Sequence, residues 1–156
     1  MALDTRKLFD SCALLEERVA QLYYLFAELY NDMPDLASLW MKTAVEEENH
    51  MRQFELAARL ERSTTFSPLV DSAVILNAID SVTSLISKVR QHPPKWQDSL
   101  RFAISLEEKL AQFHVDTAVT YTDATINSLF KAMMTSDEQH VQSLRAYLER
   151  DDTSPA

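Results

Sequence analysis

Glycine is absent from all 156 residues of the chain. Tight β-turns and β-bulges usually need glycine, because glycine adopts positive φ without a steric penalty. The sequence therefore predicts a helical chain with few sharp turns, whose main breaks are marked by proline. Hydrophobic residues make up 46% of the chain and charged residues 25%, a composition that fits one globular domain with a substantial core.

Apolar residues recur with helical spacing along the chain. They predict helices α1 to α5, at about residues 4–30, 35–62, 67–92, 93–122 and 123–150. Ser67 and Pro68 form a cap and first-turn pair for α3, Pro93 and Pro94 end it, and Asp123 caps α5. The expected apolar face of α3 consists of Val74, Ile75, Ala78, Ile79, Val82, Leu85, Ile86 and Val89.

The lengths of the connections predict the topology. Short loops between α1 and α2 and between α4 and α5 make antiparallel hairpins, whereas residues 63–98 are long enough to return the chain to the far end of a bundle. We therefore expect one all-α domain at 1–150, a four-helix bundle of two antiparallel hairpins with a helical crossover. Residues 151–156 are expected to form a disordered tail.

The two predicted hairpins resemble each other. The segment 15–21 reads LEERVAQ and is echoed by LEEKLAQ at 106–112. An aromatic residue also lies ten positions before a histidine in both halves, as Trp40 before His50 and Phe130 before His140. An internal duplication of one helical hairpin explains both similarities.

Residues at alternating steps of three and four share one face of a helix and define four core stripes. The first two stripes are Phe9, Cys12, Glu16, Val19, Tyr23, Phe26 and Tyr30 on α1, and Leu36, Trp40, Thr43, Glu47, His50, Phe54 and Ala57 on α2. The other two are Leu100, Ala103, Glu107, Leu110, His114, Thr117 and Tyr121 on α4, and Ile126, Phe130, Met133, Asp137, His140, Leu144 and Tyr147 on α5. Each stripe is mainly apolar, with its ionisable residues near the middle.

Carboxylates placed inside an apolar core must be neutralised, paired or bound to metal, because an unpaired buried charge is costly. Four carboxylates that meet in one core also repel each other. Divalent cations remove both problems, and a mixture of carboxylate and imidazole ligands suits iron, manganese or zinc. Glu47 and His50, like Asp137 and His140, lie one turn apart on one face, which is the geometry of an inward-facing chelate.

This pattern resembles the rubrerythrin and ferritin-like family across nearly the whole chain. It has one glutamate on each of α1 and α4, and a carboxylate-x-x-His pair on each of α2 and α5. The segment 23–27, YYLFA, seven residues after Glu16, is also similar to the rubrerythrin pattern. The resemblance implies a ferritin-like diiron-carboxylate bundle with about two iron ions per chain. It implies terminal ligands Glu16 and Glu107, bridging ligands Glu47 and Asp137, and one histidine per iron, His50 and His140.

The chain also departs from the family. Asp137 is one methylene shorter than the glutamate of the family, so we expect one iron to be held more loosely, with Glu138 as a fallback ligand. Leu110 occupies the position of an additional rubrerythrin glutamate, which argues against the ligand switch of that family. We expect no rubredoxin domain of the kind found in rubrerythrins, and therefore a separate donor protein as the source of electrons.

Several residues have alternative interpretations. Glu17, Glu46, Glu48 and Glu108 are expected on the helix surface. His114 is interpreted as a hydrogen-bonded core histidine, with contact to the ligands of the site as the alternative. Tyr23 is a core residue whose hydroxyl can hydrogen-bond a ligand carboxylate. Cys12 is expected to be a buried packing thiol.

Three functions fit the pattern. The first is a non-haem diiron oxidoreductase of peroxidase or ferroxidase type, which reduces O2 or peroxide. The second is an iron-binding or storage protein that oxidises Fe(II), and the third is a helical interaction module with a vestigial site. The net charge of −9 and pI near 4.8 argue against a nucleic-acid partner. Without a signal peptide or a run of about 20 apolar residues, we expect a cytoplasmic protein with no membrane partner, and a homodimer.

Overall fold

The computed structural model describes residues 5–60, 71–118 and 124–152, and within these ranges every regular element is an α-helix. The helices are α1 Thr5–Leu29, α2 Pro34–Leu60, α3 Ser72–Gln91, α4 Trp96–Ala118 and α5 Ala124–Asp152. The predicted all-α class is confirmed. Because α5 continues to Asp152, the first two residues of the predicted disordered tail are helical, and residues 153–156 lie outside the described ranges.

Local hydrogen bonds explain where the first hairpin turns. The backbone N–H of Met33 donates to the carbonyl of Tyr30 at 3.0 Å. Pro34 then occupies the first position of α2, where the N–H that proline lacks would have no helical partner. The hydroxyl of Tyr30 donates to the carbonyl of Pro94 at 2.8 Å, so this turn is tied to the segment that precedes α4.

The start of α3 differs from the prediction. Asp71 caps the helix, since its carboxylate accepts a hydrogen bond from the N–H of Ala73 at 3.0 Å. The predicted cap, Ser67 and Pro68, lies outside the described residues, as does the predicted α5 cap, Asp123. At the other end, α3 stops at Gln91 ahead of the two prolines, as predicted.

Four helices, α1, α2, α4 and α5, pack around the carboxylates and histidines at the middle of the core stripes. Close contacts join α1 to α2 and α3, α4 to α5, and α2 to α5. The core stripes predicted for α1 and α2 are fully buried, and those of α4 and α5 are buried in their described residues, except that Tyr147 is partly exposed. The predictions for the side chain of Thr117 and for Tyr121 fall outside the described part of the chain.

Helix α3 is amphipathic. Its buried face is Ile75, Ile79, Val82, Ile86 and Val89, whereas Val74, predicted on this face, is 58% exposed. Val74 lies at the edge of the apolar face, where it lines a cavity together with Ala78 and Leu85. Among the described helices, only α3 is long and apolar enough to cross a membrane by length and composition, with a mean hydropathy of 1.2 over its apolar window. This corrects the expectation that no stretch approaches such a span.

Candidate metal centre

Seven ionisable side chains from four helices meet in the core, and each is at most 2% exposed. They are the six predicted ligands, Glu16, Glu47, His50, Glu107, Asp137 and His140, together with His114. Each helix contributes at the middle of its stripe, because the three-and-four spacing keeps these residues on the face that the apolar residues bury. The structure thus brings all the predicted site residues into one cluster.

The first group of ligand atoms surrounds His50. Its Nδ1 lies 3.9 Å from Glu16 Oε2, 3.5 Å from Glu47 Oε2 and 3.9 Å from Asp137 Oδ1. None of these four buried atoms has a hydrogen-bond partner. Ligand atoms of one ion with bonds of about 2.0–2.2 Å are about 3 to 4 Å apart, so the spacing suits a shared cation.

The second group surrounds His140. Its Nδ1 lies 2.9 Å from Glu47 Oε1 and 3.3 Å from Glu107 Oε2. The contact between His140 Nδ1 and Glu47 Oε1 does not have the geometry of a hydrogen bond. The contact between His140 Nδ1 and Glu107 Oε2 is a hydrogen bond. Glu47 therefore directs one oxygen to each group.

Asp137 lies beside the first group only, because its Oδ1 faces His50 and its Oδ2 contacts His114. Its predicted bridging role stays a prediction. Glu138, the predicted fallback ligand, is exposed.

Hydrogen bonds from Tyr23 and His114 hold carboxylates of the site in place. The hydroxyl of Tyr23 donates to Glu107 Oε1, so the predicted bond from this tyrosine to a carboxylate of the site is confirmed. His114 is fully buried, and its Nε2 is 2.6 Å from Glu16 Oε1 while its Nδ1 is 2.6 Å from Asp137 Oδ2. His114 is therefore a hydrogen-bonded core histidine that also contacts the site, as the two interpretations of the sequence proposed.

Glu46, predicted on the helix surface, is partly exposed but also contacts the site. Its carboxylate contacts His140 Nε2, and its side chain is 29% exposed. Its position in the sequence gives no signal of this contact, because Glu46 lies beside the core stripe of α2 and meets His140 only through the packing of α2 on α5. The other three predicted surface glutamates are partly or fully exposed: Glu17, Glu48 and Glu108.

Burial and the neighbouring charged groups shift the pKa values of the carboxylates. Burial raises the pKa of Glu16 to about 8, although His114 acts in the opposite direction. Burial and the charge of Glu47 raise the pKa of Glu107. Burial alone would also raise the pKa of Glu47, but the adjacent imidazoles of His140 and His50 hold it well below its usual range.

The same contacts raise the pKa values of the histidines. Burial by itself lowers the pKa of a histidine, but Glu16 and Asp137 raise that of His114 to about 10. Glu107 and Glu47 likewise raise the pKa of His140 to about 11. The cluster therefore attracts positive charge, and without metal the protonated imidazoles supply it.

Two sets of buried side chains can each hold a metal ion. The first is Glu16, His50 and His114, and the second is Glu47, Glu107 and His140; within each set the ligand atoms lie within 4.8 Å of one another. Oxygen and imidazole donors suit iron, manganese and zinc. The unpartnered oxygens around His50 Nδ1 fit such an ion, because it would satisfy all of them at once.

Comparison of the chain with protein-family models, with curated proteins and with solved structures finds no match. None of these comparisons assigns a metal, a substrate or a family to the chain. The geometry of the buried Glu/His cluster is what favours a metal centre.

Proposed function

We propose that the chain is a ferritin-like four-helix bundle with a two-iron centre, and that it is a non-haem oxidoreductase that reduces O2 or peroxide. The observation that carries the proposal is the group of unpartnered buried atoms around His50 Nδ1, from Glu16, Glu47 and Asp137. Buried polar atoms in native proteins are almost always satisfied, and a cation between these ligands satisfies them together.

The helix contacts support the ferritin-like arrangement. Helices α1 and α2 pack as one pair, α4 and α5 as another, and α2 contacts α5 between the pairs. The first helix of each pair supplies one glutamate, and the second supplies a carboxylate and a histidine one turn apart. This distribution of ligands is that of di-metal carboxylate bundles.

The proposed ligands divide between two positions. Glu16, His50 and Asp137 hold one iron, Glu107 and His140 hold the other, and Glu47 contributes one oxygen to each. Bound iron supplies one-electron redox chemistry toward O2 or peroxide. The chain orients the ligands, through Tyr23 at Glu107 for example, and its apolar core excludes water from them. A separate donor protein supplies the electrons.

Metal analysis of aerobically purified protein tests the proposal. We expect about two iron atoms per chain in the parent protein. The double variant His50→Ala/His140→Ala should retain almost none, because it removes the imidazole of both positions. His92→Ala is the matched control, since His92 is exposed. Full metal occupancy in the double variant would show that the metal binds elsewhere.

A further inference from the structure

Tyr23 and His114 occupy equivalent places in the two helix pairs, seven residues after Glu16 and Glu107 respectively. Each reaches across to the glutamate of the other pair. The hydroxyl of Tyr23 donates to Glu107 Oε1, and His114 Nε2 bonds Glu16 Oε1 at 2.6 Å. A phenol has one polar atom, but an imidazole has two, and His114 uses the second to bond Asp137 Oδ2 at 2.6 Å.

His114 hydrogen-bonds one oxygen of the Glu16 carboxylate and one oxygen of the Asp137 carboxylate. It does not contact the second oxygen of either carboxylate in this way. The remaining oxygens, Glu16 Oε2 and Asp137 Oδ1, are both buried and without a hydrogen-bond partner. Both lie 3.9 Å from His50 Nδ1. The bonds of His114 on the outer oxygens therefore fix the two carboxylates with their free oxygens beside His50.

We propose that His114 is a positioning residue that binds Glu16 and Asp137 from outside the centre and aims their free oxygens at the metal beside His50. This inference rests on the proposed two-metal function. The alternative is that His114 itself ligates the metal, because one of its ring nitrogens lies close enough to ligand atoms of Glu16 and His50 to share an ion with them. Ligation would require His114 to give up a carboxylate bond, whereas positioning keeps both.

The variant His114→Tyr separates the two roles. Tyrosine at this place can donate to Glu16 as Tyr23 does to Glu107, but a phenolate bound directly to Fe(III) absorbs strongly in visible light. We expect His114→Tyr to bind about two iron atoms per chain with no phenolate-to-iron absorption band after oxidation. His92→Tyr, at an exposed site, is the matched control for added tyrosine. A strong band in His114→Tyr, absent from the control, would overturn the inference.

The variant His114→Phe removes both bonds while retaining an aromatic ring. Loss of groups that orient metal ligands typically weakens binding by about 10- to 100-fold, and we expect that loss for one of the two Fe(II) ions. Anaerobic Fe(II) titration measures it. Unchanged affinity for both ions would also overturn the inference.

A crystal structure of the Fe(II)-loaded parent protein tests the inference without a variant. We expect both ring nitrogens of His114 to remain on the carboxylates, while a bond of about 2.1 Å from His114 to iron would overturn it. Failure of the parent protein to bind about two Fe(II) ions would contradict the proposed function itself. Normal loading combined with His114 ligation would contradict only the inference.

Discussion

Glu47 faces the histidines of both helix pairs, with Oε2 3.5 Å from His50 Nδ1 and Oε1 2.9 Å from His140 Nδ1. It is fully buried, and neither oxygen has a hydrogen bond. One side chain thus connects the two groups of ligand atoms. Its loss should affect both metal positions, unlike the loss of any ligand that faces one group.

We predict that Glu47→Gln binds both Fe(II) ions more weakly, each by at least about tenfold, or on the order of 1.4 kcal/mol. The amide keeps the shape of the side chain but loses the charge that both ions share. Anaerobic Fe(II) titration with a competing chelator measures the two affinities. Glu16→Gln is the comparison, because it should weaken mainly the ion near His50. Equal patterns of loss in the two variants would contradict the shared role of Glu47.

Asp137 breaks the symmetry of the ligand set, because an aspartate reaches less far than a glutamate and both its oxygens lie on the His50 side. The iron nearest His140 should therefore be the more weakly held and the more open of the two. Asp137→Glu should tighten it by roughly tenfold and change the rate of peroxide-driven oxidation. Glu47→Asp should instead loosen the ion near His50 and also the ion near His140, because Glu47 directs one oxygen to each group.

Stepwise Fe(II) titration followed by stopped-flow oxidation measures these effects. Two metals that load with equal affinity in the parent protein, together with an Asp137→Glu variant that behaves identically, would show that the shorter side chain has no functional consequence.

The metal-free protein should lose stability as the pH rises. The pKa of Glu16 is about 8 in the folded protein against 4.5 ordinarily, so its contribution is full below pH 4.5 and is lost as the pH rises through 8. The pKa of His114 is about 10 against 6.5, so its contribution is lost as the pH rises from 6.5 through 10. His140, with a pKa of about 11, acts in the same direction.

Thermal unfolding of chelated protein measures this trend. We expect its melting temperature to fall between about pH 5 and pH 9, because the folded state binds more protons than the unfolded state over that range. Metal should raise the melting temperature more at neutral than at mildly acidic pH, since bound cations replace those protons. A metal-free protein that is equally stable across the range would argue against clustered carboxylates in the core.

Glu46 should stabilise metal binding by His140, because its contact with Nε2 leaves Nδ1 directed at Glu47 and Glu107. A carboxylate behind a ligating histidine fixes the orientation of the ring, and its loss typically weakens metal binding by about 10- to 100-fold. We predict that range for one ion in Glu46→Gln, measured by competition with a chelator. Glu48→Gln is the matched control, because Glu48 pairs with Arg52 at the surface. Equal affinities in the two variants would remove Glu46 from the site.

The sequence by itself determined which residues enter the core and at what height along each helix they lie. Helical spacing fixes the face on which a side chain lies, so it was sufficient to place six residues mid-stripe: Glu16, Glu47, His50, Glu107, Asp137 and His140. Burial of these six residues confirms that prediction. Helix ends were less predictable, as at α3, because the cap that forms depends on local competition among polar side chains.

Only the tertiary structure decided which atoms meet. Periodicity gives the face of one helix but not the neighbour that this face touches, so the bond from Tyr23 to Glu107 and the contact of Glu46 with His140 depend on helix packing. The same holds for His114, whose two nitrogens reach carboxylates on two different helices. Spacing along one helix does not identify the partner in any of these contacts, because each partner is set by the distance and rotation between separate helices.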